Sequence, residues 1–233
     1  MKIKKAIKKI FPLWLLRWRQ SRNKSIFKSM TTKEVFLEIY NTNYWKSKES
    51  ISGVGSELNQ TKSLIRNLET LMSDMKIESV LDIPCGDFNW MKKVDLSKID
   101  YIGADIVDEL ISTNIKNQNG RENLKFKVLD LTCDPLPKSD LLIVRDCLVH
   151  LSYQDIYSAI TNIKSSGSKY LLTTTFTDNY LNMDIVTGDW RPLNLQDKPF
   201  NFPSPILIIN ENCTEDGGEY SDKSMALWDI SKL

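Results

Sequence analysis

In VLDIPCGDFNWM, residues 80–91, an apolar strand pattern ends in an acid and a sharp turn, and this combination indicates the fold class. In two later segments, YIGADIV at 101–107 and FKVLDL at 126–131, an apolar strand pattern is likewise followed by an acid. The acids that end the three segments are Asp82, Asp105 and Asp130. Acids at the carboxyl ends of consecutive parallel strands point into the crevice where an open α/β sheet binds its ligand. The pattern therefore predicts an α/β fold with an acidic ligand crevice.

The glycines of the first turn indicate which nucleotide this crevice accepts. Asp105 follows Asp82 by 23 residues, about one strand–helix–strand unit, which places its carboxylate where ribose hydroxyls are bound. A dinucleotide turn has the pattern G-x-G-x-x-G, because backbone amides must approach a pyrophosphate closely. This turn has only Gly86, and Asp87 beside it would repel a pyrophosphate. S-adenosylmethionine (SAM) fits better, since it has ribose and adenine, no phosphate, and positive sulfonium and ammonium groups.

Four ordered segments resemble the motifs of class I SAM-dependent methyltransferases. They are 80–91, 101–107, FKVLDLTCDPLP at 126–137 and DLLIVRDCLVHLS at 140–152. The similarity looks closest to a compact bacterial group, which shares TTTF and DIVTGDWRPLNL within 173–195. The resemblance covers roughly residues 50–230. It implies a Rossmann-like fold whose seven-stranded sheet is mostly parallel, with helices on both faces and an antiparallel last strand.

The first motif departs from the family pattern, which is an acid followed by G-x-G-x-G. Pro84 stands at the first glycine position, and only Gly86 remains. A proline there can still make a sharp strand-to-helix turn, because its φ is fixed. We therefore expect the fold to be kept, with contacts to the methionine part of the cofactor that are particular to this chain.

Periodicity along the chain supports an alternating α/β order. It predicts strands at 79–83, 101–105, 124–129, 140–145, 169–176, 205–209 and 224–230, and helices at 59–72, 89–93, 107–117 and 152–165. Short connections between such elements favour a parallel sheet. We divide the chain into a basic amphipathic helix at 1–30, a helical lead-in or lid at 31–78 and a SAM-binding core at 79–233. Within the core, 177–205 has no period but is rich in aromatics, and we interpret it as a substrate loop.

Charge is distributed unevenly along the 233 residues. Residues 1–33 contain eleven Lys or Arg and no acid, whereas the rest contain twenty bases and thirty acids. An acidic body makes nucleic acid an unlikely partner, because nucleic-acid backbones select basic surfaces. The four cysteines form no C-x-x-C pair and the chain has one histidine, so we expect reduced thiols in a cytoplasmic protein and no metal site.

Residues 1–24 have the pattern of an interfacial helix. Ile3, Ile7, Ile10, Trp14 and Trp18 recur at helical spacing among lysines, which suits peripheral contact with an anionic inner-membrane surface. The longest uncharged apolar run, 10–16, has seven residues, against about twenty for a membrane span. Packing on the protein's own domain or in a partner's groove is an equal alternative, and nucleic-acid binding by this segment is a weaker one.

The resemblance implies a set of cofactor contacts, each with a structural alternative. Asp105 would hold the ribose, since a carboxylate accepts from two donors, although it could also cap a helix. Asp130 would lie near the adenine amine, or be an ordinary turn residue. Arg66 could pair with the methionine carboxylate or be solvated, and Trp45 could stack on a cation or pack in the core. The full predicted set is Trp45, Arg66, Asp82, Pro84, Cys85, Gly86, Asp105, Ile106, Asp130, Leu131 and Arg145.

The end of the fourth strand faces the transferred methyl group in the class I fold. Methyl transfer is an in-line displacement that needs alignment, and an oxygen nucleophile must also lose its proton. His150 is the candidate base and Asp146 the alternative, although His150 could instead cap or pack at the next helix. Asp189, Trp190 and Arg191 look like part of an acceptor pocket in the related bacterial sequences, or else anchor their loop.

We therefore expect SAM-dependent methyl transfer, on oxygen, to a small molecule or a glycan- or lipid-linked acceptor. The chain lacks the N/D-P-P-Y pattern of amino-nitrogen methyltransferases and reads R-D-C-L at that place. One alternative is a non-catalytic nucleotide- or SAM-binding module that its N-terminal helix recruits to a membrane or partner. Another is a nicotinamide-dependent oxidoreductase, which the missing glycines count against.

Overall fold

A computed structural model describes residues 26–118, 120–178 and 181–233. The expected interfacial helix at 1–24 lies outside the described residues. Within them, seven strands form one sheet in the order β3-β2-β1-β4-β5-β7-β6. The strands are β1 (Ser79–Asp82), β2 (Asp100–Asp105), β3 (Leu124–Val128), β4 (Leu141–Val144), β5 (Tyr170–Phe176), β6 (Leu207–Asn210) and β7 (Lys223–Asp229).

The sheet is parallel except at one strand. β1 pairs in parallel with β2 and β4, and further parallel pairs join β2 to β3 and β4 to β5. β7 is antiparallel to both of its neighbours, β5 and β6. The structure therefore confirms the predicted seven-stranded, mostly parallel sheet with an antiparallel last strand.

Helices cover both faces of the sheet. The α-helices among the described residues are α1 (Thr32–Asn41), α2 (Leu58–Asp74), α3 (Asp108–Asn117) and α4 (Tyr153–Ser165). Short 3-10 helices lie at Val54–Ser56, Met91–Lys93, Leu148–His150, Glu215–Gly218 and Ile230–Lys232. Leu64 and Leu68 of α2 share a core with Val80, while Ile156 of α4 shares the opposite core with Leu81. Neighbouring residues of β1 thus enter different cores, as the pleat of a strand requires.

Local sequence explains where two of the helices begin. Thr31 and Glu34 form a reciprocal capping box at the start of α1. The Ser152 side chain accepts the Asp155 amide at the start of α4. None of the described helices is long and apolar enough to cross a bilayer.

The connection from β1 to β2 differs from the prediction of a helix at 89–93. Only the 3-10 turn Met91–Lys93 forms there. Phe88, which directly precedes the predicted helix, has a left-handed φ of 58°, so a right-handed helix cannot extend back through it. Its ring packs against Tyr101 and Phe126, with ring centroids 5.3 and 5.2 Å away. Burial of this aromatic side chain stabilises the irregular path, so the first motif is a loop rather than a helix N-terminus.

Candidate functional site

One cleft lies at the carboxyl ends of β1 to β4, under a roof formed by α1 and the loop that follows it. It encloses about 1040 Å³ of space, which includes open solvent at its mouth. Twelve of the predicted site residues line it. They are Trp45, Asp82, Pro84, Cys85, Gly86, Asp105, Ile106, Asp130, Leu131, Arg145, Asp146 and His150.

Asp105 is held by the backbone of the first motif and of its own strand end. Its carboxylate accepts the Gly86 amide at 3.1 Å and the Val107 amide at 3.0 Å. Burial raises the pKa of Asp105 to about 6, although these backbone hydrogen bonds oppose the shift. Each carboxylate oxygen can accept more than one hydrogen bond. The group is therefore fixed in place with capacity left for hydroxyl donors from a ligand in the cleft.

Asp82 is almost completely buried at the end of β1. The Tyr101 hydroxyl donates to its carboxylate at 2.6 Å. Burial raises the pKa of Asp82 to about 7, against the opposing effects of the Tyr101 hydrogen bond and the Arg145 charge. A cationic ligand beside this carboxyl would favour its ionised form. Asp82 can therefore become ionised when an ammonium or sulfonium group binds beside it.

Asp130 lines the cleft just after the end of β3. Its carboxylate accepts the Thr132 amide at 2.7 Å and the Thr132 hydroxyl at 2.6 Å, an Asx turn that fixes the loop after β3. Apolar side chains of Leu110, Leu129 and Leu131 also line the cleft. An apolar slot with a carboxylate at its edge suits a planar base that carries an amino group.

The roof comes largely from α1. Thr32, Phe36, Ile39 and Tyr40 line the cleft, and their spacing places them on one face of the helix. The lead-in was predicted to be a lid, but sequence reasoning did not single out these four residues. Their spacing of three to four residues is the feature of the sequence that could have indicated a shared helix face.

The loop at 50–56 is fastened to the first motif by Asp87. Its carboxylate accepts the Ser50 hydroxyl at 2.9 Å and the Ile51 amide at 3.0 Å. Ser52 then lies against Gly86, where a Cβ atom would be only 2.1 Å from the Ser52 hydroxyl oxygen. Gly86 also has a positive φ of 54°, so two independent features require glycine there. Sequence reasoning treated Asp87 only as a repulsive charge and missed this role.

Charged groups surround the end of β4. The Asp146 carboxylate lies 2.7 Å from the Lys223 ammonium and 3.3 Å from the Arg145 guanidinium. Burial alone would raise the pKa of Asp146, but the two cations hold it well below its usual range. Arg145 also forms an ion pair with Glu211 at 2.6 Å. Its hydrogen bond to the Gly55 carbonyl, at 2.8 Å, fastens the loop at 50–56, hereafter the roof loop, at a second point.

His150 lines the cleft from the 3-10 turn after β4. Its Nδ1 lies 2.8 Å from the Asp189 carbonyl oxygen, and the Trp45 ring centroid is 5.1 Å from the imidazole centroid. Since Asp146 is held as a stabilised anion, it is a weak proton acceptor. His150 is therefore the better placed of the two candidate bases.

Four predicted site residues are not brought into the cleft. Arg66 is exposed on α2 and does not line the cleft. Trp190 packs against Phe176 and Tyr220, while Asp189 and Arg191 are buried. None of the described residues of the predicted substrate loop 177–205 lines the cleft. This loop supports α1 instead, since a Cβ on Gly188 would lie 2.4 Å from Val35.

Comparison with known proteins identifies the fold. No protein-family model matches the sequence, and no curated protein is similar enough to match it. Among solved structures, magnesium protoporphyrin IX methyltransferase ChlM from Synechocystis PCC 6803 with bound SAM superposes with a TM-score of 0.61 at 13% identity, over 85% of this chain and 97% of that one. N-methyltransferase NodS from Bradyrhizobium japonicum WM9, in complex with S-adenosylhomocysteine (SAH), gives 0.59 at 12% identity, over 82% and 97%.

A third match extends the range of enzymes that share this architecture. Human N-acetylserotonin methyltransferase in complex with SAM gives a TM-score of 0.55 at 15% identity, over 86% of this chain and 60% of that one. Identities this low relate the folds only. The chain therefore has the Rossmann-like fold of class I SAM-dependent methyltransferases.

Proposed function

We propose that this protein is a SAM-dependent methyltransferase. The observation that carries the proposal is the meeting of Asp82, Asp105 and Asp130 in one cleft at the carboxyl edge of the sheet. The cleft has carboxylates where a dinucleotide site would need phosphate-binding amides and glycines. The fold shared with SAM- and SAH-bound methyltransferases supports the same cofactor.

The residues of the cleft fit the chemical groups of SAM in turn. Asp105 would accept hydrogen bonds from the ribose hydroxyls, and Asp130 with Leu131 would hold the adenine. Asp82 would face the positive end of the cofactor, together with the polar edge of the roof at Ser52. SAM supplies an activated methyl group on a sulfonium leaving group. The protein's own part is alignment, exclusion of water and removal of a proton from the acceptor.

An oxygen acceptor is proposed because an imidazole lines the cleft. A neutral imidazole can take the proton of a hydroxyl at physiological pH. Phe36, Tyr40 and Trp45 give the roof an apolar inner surface, which favours a small molecule or the reacting end of a glycan- or lipid-linked acceptor. The acidic body of the chain disfavours nucleic acid.

Residues 1–24 motivate a proposal about location. Their lysines and two tryptophans have the composition of a helix that lies on anionic lipid, so we propose a cytoplasmic protein that contacts the inner membrane surface peripherally. Sedimentation with anionic liposomes tests this, with a chain that begins at residue 26 as the control. Full-length protein that stays entirely in the supernatant would remove the support for lipid contact.

Methyl transfer can be tested before the acceptor is known. The full chain is incubated with [methyl-³H]SAM and with either polar or chloroform-soluble extracts of the source organism. We expect label in one extract, with loss of transfer in His150→Ala and normal SAH affinity in that variant. Label in the polar extract indicates a small hydrophilic acceptor, and label in the chloroform extract a lipid-linked one. SAM binding without transfer to either extract would favour the non-catalytic module.

A further inference from the structure

The late loop is joined to the segment that carries His150 by a dense set of hydrogen bonds. The Gly188 amide donates to the His150 carbonyl at 2.8 Å, and the Arg191 amide donates to the Val149 carbonyl at 3.2 Å. The Ser152 amide donates to the Thr187 hydroxyl at 2.9 Å. Loop residues 187–191 therefore run alongside residues 149–152 and are hydrogen-bonded to them.

Arg191 fixes the backbone on both sides of His150. Its guanidinium donates to the Leu148 carbonyl at 2.9 Å and to the Leu151 carbonyl at 2.8 Å. A third bond reaches the Met183 carbonyl at 3.1 Å, which ties the loop to the same point. The side chain is almost completely buried, and this burial lowers the pKa of Arg191 to about 10. These three hydrogen bonds of the buried guanidinium all go to backbone carbonyl oxygens, so Arg191 fixes the backbone conformation of the segment that carries His150.

The same loop determines which imidazole nitrogen carries the proton. His150 Nδ1 lies 2.8 Å from the Asp189 carbonyl oxygen, which can only accept a hydrogen bond. Nδ1 must therefore be the protonated nitrogen. In the neutral ring the lone pair is then on Nε2, because the hydrogen bond of one nitrogen sets the state of the other.

We propose that Arg191 and the backbone of 188–191 form a positioning frame that locks His150 in the Nδ1–H tautomer. Nε2 is then the proton-accepting nitrogen of the histidine that lines the cleft. Arg191 is a positioning residue in this scheme, since it acts through His150. The role of Nε2 as a base rests on the proposed methyl transfer, whereas the tautomer itself does not depend on it.

The chain has a single histidine, which makes the tautomer directly measurable. Long-range ¹H–¹⁵N correlation spectra of the uniformly ¹⁵N-labelled full chain, recorded where the imidazole is neutral, show which ring nitrogen is protonated. We expect a protonated Nδ1 and an unprotonated Nε2 in the wild type. Arg191→Lys and Arg191→Met should shift both nitrogen resonances toward the mixture of tautomers seen for histidine in water. Trp190→Phe changes a neighbouring side chain that packs on Phe176 and Tyr220, keeps the backbone of the frame, and should leave both resonances unchanged.

Two results would overturn the inference. One is a wild-type spectrum with a protonated Nε2 or an averaged pair of nitrogens. The other is an Arg191 variant that is folded yet keeps the wild-type imidazole spectrum. Should Arg191→Met not fold, Arg191→Lys and the wild-type spectrum still decide. A locked Nδ1–H tautomer in a protein that does not bind SAH would uphold the frame and reject the methyltransferase, so the two failures are distinguishable.

Discussion

Asp87 connects the first motif to the loop at 50–56, which forms part of the roof of the cleft. Asp87 does not itself line the cleft, but Asp87→Ala should weaken cofactor binding through this loop. The carboxylate accepts two good hydrogen bonds from Ser50 and Ile51, at 2.9 and 3.0 Å, and a longer one of 3.5 Å from the Ser52 hydroxyl. Hydrogen bonds to a charged group contribute about 1.5–3 kcal/mol each. Since Asp87 is only half-buried, water replaces part of this, and we take about 1.5–3 kcal/mol for the whole contact.

That free energy holds the roof loop closed in the free protein. Without it, a ligand must order residues 50–52 when it binds, and each 1.4 kcal/mol is a factor of about ten in affinity. We therefore expect the Kd for SAH to rise about 10- to 100-fold in Asp87→Ala, measured by isothermal titration calorimetry.

Two variants make this test specific. Asp87→Asn keeps one acceptor oxygen and should lie between the wild type and Asp87→Ala. Asp108→Asn removes an exposed ion pair to Lys33 and should leave the affinity unchanged. If folded Asp87→Ala binds SAH as tightly as the wild type, the roof loop does not contribute to the site as described.

Two further predictions concern buried charges. Asp82 has a pKa raised to about 7, so its contribution to stability is present below about pH 4 and is lost as the pH rises through about 7. Asp82→Asn should therefore raise the free energy of unfolding at about pH 8 by on the order of 2–4 kcal/mol and change it little near pH 4. Thermal melts at the two pH values measure this difference. An equal effect at both would contradict the raised pKa of Asp82. Lys223→Met should destabilise the fold by about 3–5 kcal/mol in urea titrations, because Asp146 and Glu211 lose a buried partner. Exposed Lys125→Met is the control, and equal midpoints for the two variants would refute the role of Lys223.

The strand ends could be predicted from the sequence because burial leaves a local record. Strands covered on both faces read as apolar runs, and the acid that follows each run marks the ligand edge. Asp82, Asp105 and Asp130 were assigned to the cleft in this way, and the structure places all three there. The antiparallel direction of the last strand came from the family resemblance, since no periodicity in Lys223–Asp229 encodes it.

The contacts that the sequence did not reveal are those between distant residues or with backbone atoms. Arg145 and Glu211 are separated by 66 positions, and nothing local in either segment marks the pair. Arg191 binds carbonyl oxygens, which every residue type supplies, so its partners leave no pattern. The aromatic, aperiodic sequence of 177–205 predicts a substrate loop, but the same properties also suit a segment that packs against the residues of the site without lining the cleft.

The absence of a helix after β1 has a similar origin. The periodicity of 89–93 suited a helix, but Phe88 adopts a left-handed conformation that allows its ring to pack on Tyr101 and Phe126. The energy of that tertiary contact outweighs local helix propensity, which is weak over five residues.

We propose that the cleft binds SAM through the acids at the strand ends. Calorimetric titration of the full chain with SAH tests it most directly, with Asp105→Ala as the variant and NADH as the comparison ligand. We predict micromolar binding of SAH by the wild type, loss of that binding in folded Asp105→Ala, and no heat with NADH. Absence of both heat and thermal stabilisation with SAH, or saturable binding of NADH in its place, would contradict the account.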